Sequence, residues 1–147
     1  GALLLIGGIA TYRLVTEGNR VTDSTRLLLQ IKQEAQSLYQ NQAFYDGIDT
    51  ATLVTLGVIP QSETHAFNDR IVVQPTVAAS SPTFDVLYTG IPESACVRLG
   101  RAITDPDDVE QLDVNGNAIA VDDPNLIQVL GAACGAAGGD DLTWTFN

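Results

Sequence analysis

With 147 residues and 45% hydrophobic content, the chain has enough apolar side chain for one real core, which excludes intrinsic disorder. The net charge is −11 and no Lys or Arg follows Arg101, so the last third repels phosphate and nucleic-acid binding by the isolated chain is not expected. Met is absent, position 1 included, as in a processed or trimmed product.

The chain opens on an uncharged apolar run, Gly1-Ala-Leu-Leu-Leu-Ile-Gly-Gly-Ile-Ala10, and meets no proline before Pro60. As far as about Phe44 the pattern predicts one long helical rod, because Leu28, Ile31, Ala35 and Leu38 recur three and four apart and share a face. The amphipathic half needs a domain packed on one side, whereas the apolar end needs lipid or the same end of other copies. That end is shorter than the ~20 residues that span a bilayer. It also lacks the basic n-region of a signal peptide. It reads as the tail of a longer apolar segment or as a buried core helix. Gly7-Gly8 and Gly18-Asn19 weaken the rod by up to about 1 kcal/mol per glycine relative to Ala. A local break is expected at the first pair and a bend at the second. A ladder of alternating charge follows, Arg13, Glu17, Arg20, Asp23 and Arg26, at spacings of three and four. Within one helix each pair contributes only about 0.2–0.5 kcal/mol and forms a solvated face. Between neighbouring rods the same charges would pair across copies.

Beyond the rod, Asp49 or Thr50 caps a short helix, Ala51 to Leu56, closed by Gly57. A polar loop, Gln61 to Asn68, leads to a β-branched strand, Arg70 to Gln74, stopped by Pro75. A second strand is predicted over Thr83 to Thr89 after the turn-rich Ala78 to Pro82. Gly90-Ile-Pro-Glu93 starts a helix that runs to Ile103 and carries Cys96. Asp105 to Val109 is a loop. Leu112 to Val121 reads as a hairpin turning at Asn115-Gly116. Asp123 as cap and Pro124 in the first position begin a helix, Asn125 to about Ala133, with Cys134 at its end. Asp141 to Asn147 closes the chain as a strand holding the one Trp. The fold class is α+β, a long helix against an antiparallel sheet with short helices between strands.

Chemistry is sparse. No nucleotide loop, metalloprotease helix or nucleophile elbow is present, so neither an enzyme nor a cofactor is expected. His65 sits in a polar stretch and reads as a surface histidine. The acids of the last third, Asp105, Asp107, Asp108, Glu110, Asp113, Asp122, Asp123, Asp140 and Asp141, read as a solubilising outer surface. Asp113-Val-Asn-Gly-Asn117 lacks the spaced oxygens and terminal Glu of a calcium loop, and no metal site is assigned. Cys96 and Cys134 are too few for zinc with a lone His. A disulfide in an oxidising compartment fits them better, worth roughly 3–4 kcal/mol by loop closure; two buried free thiols are the alternative.

Taken in order, these features resemble a type IVb pilin of the bundle-forming and conjugative thin-pilus kind. The likeness rests on four stretches: the apolar-to-amphipathic rod, Leu38 to Asp49 with the short helix ending Gly57-Val-Ile-Pro60, Ile91-Pro-Glu-Ser-Ala-Cys96-Val-Arg-Leu, and Ala133-Cys134 before the last strand. The resemblance implies an inner-membrane precursor, trimmed by a peptidase and stacked helically by the membrane's assembly machinery into an extracellular filament. Its partners are then other copies of itself, with a host surface, other pili or a DNA-transfer recipient outside. The alternatives within the fold are a minor pilin or a secretion pseudopilin; a helix-tethered binding domain or enzyme is the reading from another class. The two cysteines would bound an outward-facing variable region. Residues 1–27 would form the filament core or membrane segment, and 28–147 the globular head. Assembly is assigned to Leu3, Leu4, Leu5, Ile6, Gly7, Gly8, Ile9, Leu14 and Val15, with Arg13, Glu17, Arg20 and Asp23 tuning register. The family's mature helix carries Glu at its fifth position, where this sequence has Leu5, and the first turns of that helix are expected to be missing here.

Overall fold

The computed structural model describes residues 2–103 and 109–147, with side chains inside the opening helix described from Gly18 onward. That helix, α1 (Ala2–Leu38), is continuous. Neither the break expected at Gly7-Gly8 nor an interruption at Gly18-Asn19 occurs, since a glycine weakens a helix by less than a long hydrogen-bonded run restores. The rod ends at Leu38 rather than near Phe44. Its buried stripe is Ser24, Leu28, Ile31 and Ala35, all fully buried. Leu38 falls outside the stripe, 41% exposed at the last helical turn.

The remaining elements are α2 (Thr50–Thr55), β1 (Ile71–Pro75), β2 (Phe84–Ile91), α3 (Glu93–Gly100), β3 (Gln111–Val114), β4 (Asn117–Ile119), α4 (Leu126–Ala133) and β5 (Asp140–Phe146). The strands form one antiparallel sheet in the order β1-β2-β5-β3-β4, which puts the last strand of the chain at its centre. Pairing places Val73, Val86, Trp144, Leu112 and Ile119 side by side across all five strands. All five are buried, and the residues between them along the strands are mostly half-buried or exposed. A period of two therefore gives the sheet one core face. Pro75 ends an edge strand, where the missing N–H costs no ladder bond.

Several boundaries depart from the sequence pattern. α3 begins at Glu93 as expected but ends at Gly100 rather than Ile103. β2 continues through Gly90 to Ile91, and Pro92 is the N-cap of α3. There β2 shifts register against β5 between Tyr88 and Ile91. Gly139 crosses Gly90 so closely that a Cβ on Gly139 would lie 2.7 Å from the Gly90 Cα. α4 starts at Leu126 with Asn125 as N-cap. Asp123 instead closes the preceding turn, its Oδ1 accepting from Asn125 N at 2.8 Å and its carbonyl from Leu126 N at 3.1 Å. The predicted loop over Asp105–Val109 lies, except for Val109, outside the described residues. The hairpin turns at Asn115-Gly116 as predicted, both residues at positive φ (53° and 83°), the backbone a two-residue turn of matching twist demands.

Helix and sheet are joined at Tyr88. Its ring is fully buried, meets Trp144 edge-on at 5.2 Å, and its hydroxyl donates to Ser24 O at 2.8 Å. Tyr88→Phe keeps the packing and removes the tether. It is expected to cost about 1 kcal/mol, read from urea denaturation; an unchanged midpoint would mean that the hydroxyl does not hold α1.

Candidate assembly surface and the disulfide-bounded region

The far side of α1 from its buried stripe is polar. Arg20, Thr22, Asp23, Arg26 and Gln30 are exposed, with Leu29 among them at 37%. Of the charge ladder, Asp23 and Arg26 pair at 3.9 Å with both side chains more than half exposed, so this ion pair adds little to the stability of the head. Arg20 stands free of the core on the same exposed surface. Leu3, Leu4, Leu5, Ile6, Gly7, Gly8, Ile9, Arg13, Leu14, Val15 and Glu17 are helical in backbone; their side chains lie outside the described residues. Among the described residues no helix is long and apolar enough to cross a membrane.

Cys96 on α3 and Cys134 at the C-cap of α4 form a disulfide with Cα atoms 6.0 Å apart. α3 packs on α1, α4 and β5, so the cystine ties the region between the cysteines to the element that carries the rod. Beside it Asp140 is fully buried, although its sequence context reads as part of the acidic surface. Its Oδ1 accepts from Gly135 N and Ala136 N at 2.8 Å and from Asn115 Nδ2 at 2.9 Å. Asn115 also donates to Ala133 O, and its Oδ1 accepts from Asp141 N, both at 2.9 Å. The hairpin tip, the end of α4 and the start of β5 are thus knotted through one carboxylate and one amide. A carboxylate oxygen of Asp140 lies within 4.8 Å of both sulfurs, but with the sulfurs bonded to each other the group supplies no metal-binding thiolate.

Comparison with known proteins now decides the family. The model of the PilS N-terminal family matches residues 19–147. The chain belongs to the PilS family. The fold is that of a type IVb pilin. A type IVb pilin from Salmonella typhi matches with a TM-score of 0.65 at 18% identity, over 88% of this chain and 99% of that one. TcpA, a type IV pilin from the Vibrio cholerae El Tor biotype, matches with a TM-score of 0.67 at 11% identity over the same shares. Among curated protein sequences none matches.

The loop between rod and sheet in this pilin is held by short acids. Asp49 caps α2, its Oδ1 accepting from Thr52 N at 2.8 Å and Thr52 Oγ1 at 2.6 Å. Asp46 accepts from Ser80 N and Ser81 N at 2.8 and 2.9 Å. These bonds hold both carboxyls below the ordinary range. His65, like Asp140, is placed opposite to expectation. His65 is buried, 3% exposed, because the polar loop 61–69 folds back on β2 and carries the ring onto Tyr88 at 5.0 Å. Asp140, Asn115 and Tyr88 were not candidates on sequence grounds. Tyr88 and Asn115 find partners 64, 18 and 25 residues away, and Asp140 adds that Asn115 amide to two donors, Gly135 N and Ala136 N, only four and five residues before it.

Proposed function

We propose that this pilin is the major, non-enzymatic subunit of a type IV pilus, polymerising helically through its N-terminal helix into a filament on the bacterial surface. The observation that carries the reading is the division of α1. Its described half buries one stripe against the head from Ser24 to Ala35, while the same unbroken helix extends N-terminally to Ala2 through an uncharged apolar run. A helix of 37 residues is about 55 Å long. The apolar residues Leu3, Leu4, Leu5, Ile6, Ile9, Leu14 and Val15, within segment 1–27, then leave the inner membrane for the filament axis, where copies of one another replace lipid. Gly7 and Gly8 allow close approach or local unwinding of that segment, and residues 28–147 form the outer head. The assembly machinery of the inner membrane is the partner before polymerisation.

Arg13, Glu17, Arg20 and Asp23 set the register between neighbouring rods. Arg20→Glu reverses one exposed charge without touching the core, so the head should melt as wild type while filament yield falls severalfold. Normal yield would reduce the ladder to a solvated helix face. Electron microscopy of sheared cell-surface material, matched to this chain by mass spectrometry, separates the major subunit from a minor pilin or a secretion pseudopilin by its abundance.

A further inference from the structure

The one histidine of the chain is built into the head as a keystone. The segment from Pro60 to Ile71 closes on itself. Glu63 N donates to Pro60 O, His65 N to Asp69 O, Asn68 N to His65 O and Ile71 N to Glu63 O, all between 2.9 and 3.0 Å. Glu63 and Asn68 hold positive φ of 57° and 62°, a region uncommon for Glu. Within this loop sits the His65 ring. Its Nδ1 accepts from Phe67 N at 3.1 Å, which fixes the proton on Nε2, and Nε2–H donates to Thr89 O on β2 at 2.7 Å. The ring also lies against Tyr88, the residue that holds α1 through Ser24.

A neutral imidazole satisfies both contacts and an imidazolium does not. A proton on Nδ1 turns the Phe67 contact into donor facing donor in a buried site. The groups around the ring offset this only in part. From the loop, the half-buried Asp69 carboxylate exerts a favourable field, but it is engaged by Thr89 Oγ1 and Arg70 N. Arg70 in turn acts on Asp69. From β2, Tyr88 is kept neutral by burial and Thr89 offers its carbonyl. α1 meets the cluster through Tyr88 and the uncharged Ser24. The balance agrees with the direction in which the site moves the ring. Burial pushes the His65 pKa below its ordinary 6.5, against smaller upward effects from Thr89 O and Asp69. A depressed folded-state pKa means that the contribution to stability is complete above about 6.5 and is lost as pH falls through the folded value.

We propose that His65 is an acid-sensitive latch: a second proton on its imidazole releases the 61–70 loop from the sheet while the disulfide-bounded half of the head stays folded. The loop covers the start of the outer edge of β1, where Glu63 O takes the Ile71 N–H, while Val73 N–H farther along that edge donates to Thr50 Oγ1 of α2. Release of the loop therefore bares the Ile71 end of the edge, so that acid changes the surface the head presents. This goes beyond the assembly reading and does not depend on it.

The test is an NMR titration of the full chain, following the single imidazole resonance together with hydrogen exchange at Phe67, Ile71 and the β5 amides, in wild type and His65→Gln. The imidazole is expected to titrate below 6.5. Exchange at Phe67 and Ile71, corrected for intrinsic rate, should rise up to about tenfold per pH unit as pH falls below 6.5 and level off once the ring in the closed loop is itself protonated. The β5 amides should stay protected, and His65→Gln should show no such rise. Titration at or above 6.5 overturns the proposal. So does loop exchange that ignores the titration, loop and β5 amides that open together, or a glutamine variant with the same pH response. If the variant does not fold, the wild-type comparison of imidazole, loop and β5 decides alone.

Discussion

Replacing Cys96 and Cys134 together by alanine is expected to lower the melting temperature of the head by roughly 10–15 °C. The bridge spans a sequence separation of 38 residues, and the chain-entropy relation gives about 4 kcal/mol for closing a loop of that length in the unfolded chain. The cysteines join α3 and α4, and the intervening region has little sheet of its own beyond β3 and the three-residue β4. Once unlinked, that region relies on the buried apolar residues Leu112, Ile119, Val121, Leu126 and Leu130 and on the Asp140 knot. Thermal melts with and without reductant measure the effect. Reductant should destabilise the wild type about as much as the double substitution does, and should leave the variant unchanged. A shift of only a few degrees would show that the fold holds this region without the cross-link.

The second large effect is expected at Asp140. Asp140→Ala removes a fully buried acceptor of three N–H donors. Asn115 Nδ2 keeps Ala133 O as a partner, but Gly135 N and Ala136 N, on residues that are themselves exposed, lose their acceptor. A stranded donor costs about 1–3 kcal/mol when buried and less within reach of water, so the variant should lose roughly 2–3 kcal/mol. Asp140→Asn is the control. It keeps an oxygen for the three donors and places an amide where Oδ2 is buried without a hydrogen-bond partner, so its loss should be much smaller. Urea denaturation of both variants reads the difference. Equal losses would mean that burial of the side chain, and not its acceptor role, stabilises the knot.

What could be read from the residues follows from the range of the forces involved. Helix periodicity placed Leu28, Ile31 and Ala35 in the core, and alternation placed β2, because those signals repeat within a few residues. The Asn115-Gly116 turn was legible because positive φ at both positions is a local demand. The ends of elements were less so. β2 runs on to Ile91 because β5 offers Asp140 as its partner there, and that pairing joins positions about 50 apart. Leu38 has the spacing of a core residue but lies past the reach of the sheet.

The burial of His65 and Asp140 was decided by tertiary structure alone. A histidine in a polar loop and an acid among acids look solvated from the sequence, because sequence reports the neighbours along the chain. Here β2 supplies the histidine's acceptor from position 89, and the hairpin at position 115 supplies one of the acid's three donors, the other two being the nearby Gly135 N and Ala136 N. The chain by itself determined the long opening helix, the alternating strands and the acidic balance, each of which depends on composition and short spacing. Only folding, which brings distant donors and acceptors into one water-free place, determined which polar side chains hold the head together.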